Sequence, residues 1–423
     1  MRQTRIGSLA YGLRHLRRAP DMAALRAASS PAELARLALI PAGRNLGISV
    51  SLLPAHLRAE ATAALLACRV LDAFEDLSDR AVASSAVLAA ADYLNSTSDT
   101  PPPALPTVTA EARDSEAVDR LLAERIGDIR ALLSALSAEG QKRVGEVITD
   151  VAGVMARNID GPLSRVAYSE GVLGRVTHYA CALVAENVLS EADLRELTGC
   201  VAVIAQSAND LRDNEFEIYG VADREELKRM VMLQLLAPAL GGFALLARLG
   251  PGTPSRGARA AMAYMTITTS AFLCSVVDAP SPYRRKVGAA LLAASSSRYW
   301  TRMIDRVRRT ADLAIHRMLD ASPDFADGAS RTREVLGAGD PATMATSLVP
   351  LIVDTTFALV QTLPEAPLTG ELPDAEVRTM MIADHLAFGA MERVPPHEPE
   401  ALQALATRLQ LAALDTSTQG SRP

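Results

Sequence analysis

The sequence predicts an all-α fold, on three observations. The chain is rich in Ala, Leu and Arg and only 4% aromatic, which favours helices over a β-sandwich. Nearly every long segment repeats its apolar residues at helical spacing. No segment sustains the alternation with β-branched residues that marks a half-buried strand. With 423 residues, 49% of them hydrophobic, the chain can bury a large core as one large domain or two ordinary ones.

In chain order, helices are predicted over 22–29, 31–40 and 44–52. The next, 55–78, starts directly after Pro54, which suits a first helical turn. Others follow over 81–94, 114–136, 138–158, 168–189, 191–217, 223–249, 256–277, 283–320, 329–337, 341–362, 374–391 and 398–414. Pro, Gly and Ser collect at Asn95–Pro106, Gly250–Pro254, Ala279–Pro282 and Ala366–Pro373, which read as loops. No internal repeat of fixed period is present.

Composition also limits function. A net charge of −6 gives the whole chain no nucleic-acid signal. Cys68, Cys181, Cys200 and Cys274 form no CxxC pair and are expected to be reduced core thiols of a cytoplasmic protein. The six histidines include no HExxH, which argues against zinc. No apolar run reaches the ~18–20 residues of a membrane span, and no secretory signal is visible. The first twenty residues carry Arg2, Arg5, Arg14, Arg17 and Arg18 with no acid before Asp21. Two readings are open there: a helix making peripheral contact with an anionic membrane, or a solvated terminus.

Two acidic clusters are the most informative feature. The first is Asp72-Ala73-Phe74-Glu75-Asp76, with Asp79 close behind. The second spans Gln206 to Glu217 and contains Asn209 and Asp213. Residues three and four apart share a helix face. Asp72, Glu75, Asp76 and Asp79 are therefore expected to project together, and Gln206, Asn209, Asp213 and Glu217 to form a second polar stripe. Either one alone also fits a solvated helix face. The pair, on helices with apolar flanks, points to an oxygen-rich cage for Mg²⁺ carrying a diphosphate.

The chemistry explains the residue types. Loss of diphosphate from an allylic substrate leaves a cation. Mg²⁺ takes oxygen ligands at about 2.0–2.1 Å and keeps several waters, so one or two carboxylates per ion suffice. Asp72, Asp76 and Asp213 are the first candidates for catalysis, with Glu75, Asn209 and Glu217 as further metal ligands. Mn²⁺ is a substitute of the same ligand preference. Arg44, Arg69 and Arg212 are candidate diphosphate contacts, because guanidinium matches phosphate oxygens; each taken singly reads equally as a surface ion pair. Tyr179, a further catalytic candidate, and His178 are candidate pocket residues or satisfied core groups.

These residues resemble the squalene and phytoene synthase family. Gly43-Arg44-Asn45-Leu46, an apolar run ending in Leu53-Pro54, and then Asp72-x-x-x-Asp76 look like that family's Ser-Arg-Thr-Phe opening and Asp-x-x-x-Asp box. Gln206-x-x-Asn209-x-x-Arg212-Asp213-x-x-x-Glu217 resembles its second box, with Glu217 where the family has Asp. His178-Tyr179-Ala180-Cys181 falls where the family has its pocket helix. The resemblance covers about residues 10–220. It implies an isoprenoid-synthase helical bundle with a central cavity, placed over residues 1–325; residues 326–423 read, from their own apolar helical pattern, as a C-terminal extension of unassigned role packed on the same domain. It also implies Mg²⁺-dependent coupling of two farnesyl (C15) or geranylgeranyl (C20) diphosphates; NADPH is needed only by the squalene branch and is left open.

A second resemblance is to class I terpene cyclases. Asn209-Asp210-Leu211-x-Asp213-x-x-x-Glu217 is close to their second metal motif, Arg298-Tyr299 to their diphosphate sensor pair, and Arg157-x-x-Asp160-Gly161 to their upstream sensor segment. It implies cyclisation of a single prenyl diphosphate. A third reading, from another class, is a helical interaction protein that keeps the fold without turnover. Oligomeric state is open in all three.

Overall fold

The computed structural model describes residues 19–106, 114–161, 163, 165–185, 191–228, 231–232, 235 and 255–320. Every regular element among the described residues is helical. In order these are α1 (Met22–Arg26), α2 (Pro31–Leu52), α3 (Ala55–Leu77), α4 (Arg80–Leu94), α5 (Asp114–Glu124), α6 (Ile126–Ser134), α7 (Ala138–Asp160) and α8 (Arg165–Ser169). A π-helical turn (Glu170–Gly174) follows, then α9 (Arg175–Ala185), α10 (Glu191–Asp213), α11 (Phe216–Tyr219), α12 (Arg256–Val276), α13 (Lys286–Ala293) and α14 (Ser297–Asp320). Among the described residues, no helix is long and apolar enough to cross a membrane. The basic N-terminal segment, most of the expected helix 223–249 and the whole extension 326–423 lie outside the described residues.

Local signals set most boundaries. Ser30 caps α2 by accepting from the Glu33 N–H at 3.3 Å, while Glu33 Oε2 accepts from the Ser29 N–H at 2.9 Å. Ser137 and Ser255 cap α7 and α12 in the same way. Each such cap satisfies an N–H that the first turn leaves without a helical partner.

Several expected helices are divided. The segment 114–136 breaks at Arg125, whose φ of −104° and ψ of 29° are not helical. Its guanidinium donates to the Ala28 carbonyl at 2.9 Å and to Asp128 at 2.6 Å, a long-range anchor that periodicity does not report. The segment 168–189 becomes α8, the π turn and α9. The segment 283–320 separates into α13 and α14.

Conversely, the expected helices 31–40 and 44–52 are joined across a kink in α2. Arg44 sits there at φ 45° and ψ −115°, a conformation that strains any residue with a Cβ. Pro41 lies in the same turn, where its ring opposes a continuous helix. The segment beyond the kink is pinned by Tyr264 of α12, whose hydroxyl donates to Asn45 Oδ1 at 3.0 Å. Gly47 lets the two halves approach, because a Cβ there would collide with the Leu39 carbonyl oxygen. Gly47→Ala is therefore expected to destabilise the fold by about 1–3 kcal/mol, the usual range for overpacking. Urea denaturation checks this; an unchanged midpoint would mean that the kink relaxes freely.

Two apolar cores flank the centre. One gathers Leu66, Val70, Leu71 and Phe74 of α3 with Val87 of α4 and Ile148 and Met155 of α7. The other gathers Ile48 of α2, Ile204 and Leu211 of α10, Ile267 and Leu273 of α12, and Trp300 of α14. Helix α3 presents Leu71 and Phe74 to the first core, which turns Asp72, Glu75 and Asp76 to its other side.

Candidate functional site

A cavity of about 600 Å³ lies between the two cores. Its walls come from α2 at the kink, α3, the π turn, α9, α10 and α12. Asp72, Glu75 and Asp76 line it, and so do Gln206, Asn209 and Asp213. The fold thus brings the two acidic segments to one space. Arg44, Arg69 and Arg212 line it as well. An apolar annex of about 90 Å³ adjoins it and shares Leu46, Leu65, Val176, Val201 and Met265 with its wall. The π turn contributes Val172 and Leu173, adjacent residues that both face the cavity.

Arg69 is already engaged. Its guanidinium forms a two-point pair with Asp119 of α5 and a further bond to Asp72. It therefore orients Asp72 within the wall. Arg212 is bidentate to its neighbour Asp213, at 2.9 and 2.6 Å. Arg44 is exposed at the rim, held there by its strained backbone.

Some sequence-predicted residues fall elsewhere. Glu217 does not line the cavity, because α10 stops at Asp213 and Asn214 turns the chain at φ 59°. The i,i+4 register that would have aligned Glu217 with Asp213 is lost there; Glu215 reaches the wall instead. Asp79 precedes α4 and is exposed, since α3 ends at Leu77. Arg298 and Tyr299 open α14 and point to solvent, outside the cavity. Arg157 bonds back to the Gly153 carbonyl at 3.2 Å, and Asp160 accepts from Ser84 at 3.0 Å. His178 Nε2 lies 2.9 Å from Glu191 Oε1. Tyr179 lines the annex, and its buried hydroxyl donates to Glu60 Oε1 at 3.0 Å. Cys181 also lines the annex, while Cys68, Cys200 and Cys274 are buried; none of the four is in a disulfide. Burial pushes the Cys68 and Cys181 thiols up to about 12, so neither is a nucleophile at neutral pH.

A network across the cavity involves residues that the sequence did not single out. The Tyr168 hydroxyl donates to Glu75 Oε2 at 2.8 Å. Arg165 lies 5.1 Å over the Tyr168 ring and is bidentate to Asp210 at 2.8 and 2.5 Å. Asp210 also accepts from Tyr219 at 2.9 Å and from Gln206 at 3.0 Å. Glu75 of the first cluster is thereby tied through α8 to Gln206 of the second. The available signal was Arg165-x-x-Tyr168, an i,i+3 pair on one helix face.

The carboxylates are in electrostatic conflict. Burial, opposed by the Tyr168 hydrogen bond and reinforced by Asp72 and Asp76, raises Glu75 to about 8. Burial and then Asp72 raise Asp76 to about 7, although it opens toward solvent at the mouth. Asp72 and Asp119 are raised too, chiefly by burial and in spite of Arg69. Burial and then the Glu75 and Asp72 charges push the Tyr168 phenol well above its usual value, so it remains a donor. A cation in the cavity would relieve this conflict. Among the described residues, no three His, Cys, Asp or Glu side chains form a ready-made metal cage. The donor set is all oxygen, which suits Mg²⁺ or Mn²⁺ sharing its coordination with diphosphate and water.

A carboxyl raised in the folded state binds its proton more tightly there than when unfolded. Its contribution to stability is full below its unfolded value, near 4.5 for Glu75, and disappears as pH rises through about 8. Urea midpoints of the metal-free protein are therefore expected to fall between about pH 5 and about pH 8. Glu75→Gln should flatten that slope; an equally steep slope in the variant would remove Glu75 as its source.

No protein-family model matches the chain, and comparison with curated proteins finds no match.

Proposed function

We propose that the protein is a Mg²⁺-dependent isoprenoid diphosphate enzyme of squalene/phytoene synthase type. The observation that supports this most is the meeting of the two remote acidic segments in one cavity that continues into an apolar annex. A diphosphate needs the polar chamber, and a C15 or C20 hydrocarbon chain needs apolar walls. Asp72, Asp76, Asn209 and Asp213 would hold the metal ions. Mg²⁺ held there would supply charge neutralisation of the leaving diphosphate and Lewis acidity.

The chain's own residues have distinct tasks. Arg44 at the rim and Arg212 on the opposite wall offer guanidinium groups to phosphate oxygens. Arg69, fixed by Asp119, holds Asp72 in position. Tyr168 stays protonated and donates to Glu75, which holds that carboxyl group in the chamber wall. Leu46, Leu65, Val176 and Met265 exclude water from the allylic cation, which a second prenyl chain then captures.

A product assay tests the reading. The protein is given one labelled farnesyl or geranylgeranyl diphosphate with Mg²⁺, with and without NADPH, and hexane extracts are analysed. A C30 or C40 product, or a cyclopropylcarbinyl diphosphate, is expected. A C15 or C20 cyclic product would replace coupling by cyclisation. No diphosphate release under any condition would leave the interaction-protein reading.

A further inference from the structure

Helix α14 carries a basic stripe that the proposed chemistry does not use. Arg298, Arg302, Arg306 and Arg309 succeed one another at helical spacing and are all exposed on one face, with Asp305 exposed beside them. Like charges at such spacing oppose the helix that bears them. Arg298 in the first turn also opposes the helix dipole. An anionic partner would remove both penalties. Arg302 and Arg306 lie over the rings of Tyr299 and Tyr283, at 5.9 and 4.7 Å. Arg284 and Arg285, just ahead of α13, are exposed too.

The same two packed helices also carry exposed apolar side chains. Among the described residues, six large hydrophobic side chains are exposed, and four of them are here: Leu291, Leu292, Tyr299 and Leu313. Leu292 is the most exposed, at 51%. A surface for nucleic acid needs the arginines but not the leucines. A solvated helix needs neither. Leucines set among arginines match a lipid surface, with the charges at the headgroups and the aliphatic chains at the acyl boundary.

We propose that the α13–α14 surface docks on an anionic membrane. The placement has a consequence for access. Helices α13 and α14 pack on α12, which lines the cavity through Met265, Thr269 and Phe272. Lys286 at the start of α13 lies 5.9 Å over the Phe272 ring. The docked face is thus one helix away from the cavity. Membrane docking goes beyond the proposed reaction and stands whether or not the cavity ionises a diphosphate.

Co-sedimentation of the full chain with vesicles of phosphatidylcholine, alone or mixed with phosphatidylserine, tests it. The protein is expected to bind the phosphatidylserine vesicles only, and less as salt rises. Arg302→Gln/Arg306→Gln/Arg309→Gln should weaken binding roughly fivefold per charge, the equivalent of about 1 kcal/mol for each basic residue at an anionic surface. Leu291→Asn/Leu292→Asn should weaken it as well. All five positions are exposed, and circular dichroism checks that each variant is folded. Replacing Arg2, Arg5, Arg14, Arg17 and Arg18 by Gln should leave binding in place. Absence of phosphatidylserine-dependent binding, full binding by the triple variant, or loss only in the N-terminal variant would each overturn the proposal. So would an indifferent leucine pair together with arginine-dependent capture of a DNA oligonucleotide, which would make this a nucleic-acid surface.

Discussion

Asp76→Asn and Asp213→Asn are each expected to lower turnover by at least roughly 10²-fold while leaving the protein folded. Changes to groups that only support a metal ligand commonly cost 10–100-fold, and these two residues are proposed to touch the metal itself. Both line the cavity, Asp76 from α3 and Asp213 from α10, so each removes one side of the proposed cage. Asn keeps the volume and one oxygen but removes the charge. The apo fold should tolerate this well at Asp76, because the side chain opens toward solvent and its negative charge is opposed by Asp72. Turnover of a labelled prenyl diphosphate, followed beside circular dichroism and Mg²⁺-dependent diphosphate binding, measures the effect. Full activity in either variant would remove that residue from the metal site.

Arg165→Met should lower stability by about 3–5 kcal/mol, the usual result of removing one partner of a buried ion pair. Asp210 is only 2% exposed and, among the described residues, would keep Tyr219 and Gln206 as side-chain donors in place of its ion pair. At about 2–4 °C per kcal/mol for a domain of this size, the melting temperature should drop by about 10 °C. The double variant Arg165→Met/Asp210→Met should recover much of the loss, since it leaves no orphaned charge. A thermal melt of all three variants closes the cycle. If Arg165→Met melts like the wild type, Asp210 has another counter-ion and the link from Glu75 to Gln206 is broken.

Much of the local geometry of the candidate site was legible in the chain. Asp72, Glu75 and Asp76 fall on one helix face because i,i+3 and i,i+4 spacing is a local property, and α3 runs straight through them. Asn209 and Asp213 follow for the same reason on α10. Glu217 failed where the helix failed. Asn214 tolerates a left-handed turn better than most residues, and Arg224 caps the broken end by donating to the Leu211 carbonyl at 2.9 Å and to the Asn214 side chain. Arg69 shows the other limit. Its guanidinium read as a candidate phosphate contact, but Asp119, fifty positions away, binds it from α5. Arg298 and Tyr299 matched a short motif and lie on the outer surface, because two residues carry too little information to fix a location.

By itself the sequence determined an all-helical chain with two polar stripes on helices of otherwise apolar flank. Composition and spacing are sufficient for that, since both act within a few turns of backbone. Only the tertiary structure decided that the stripes share one cavity, that the backbone kinks at Arg44 and that Asp210 is a buried anchor. Those outcomes depend on contacts between residues remote in sequence and on the desolvation that appears once helices enclose a charge.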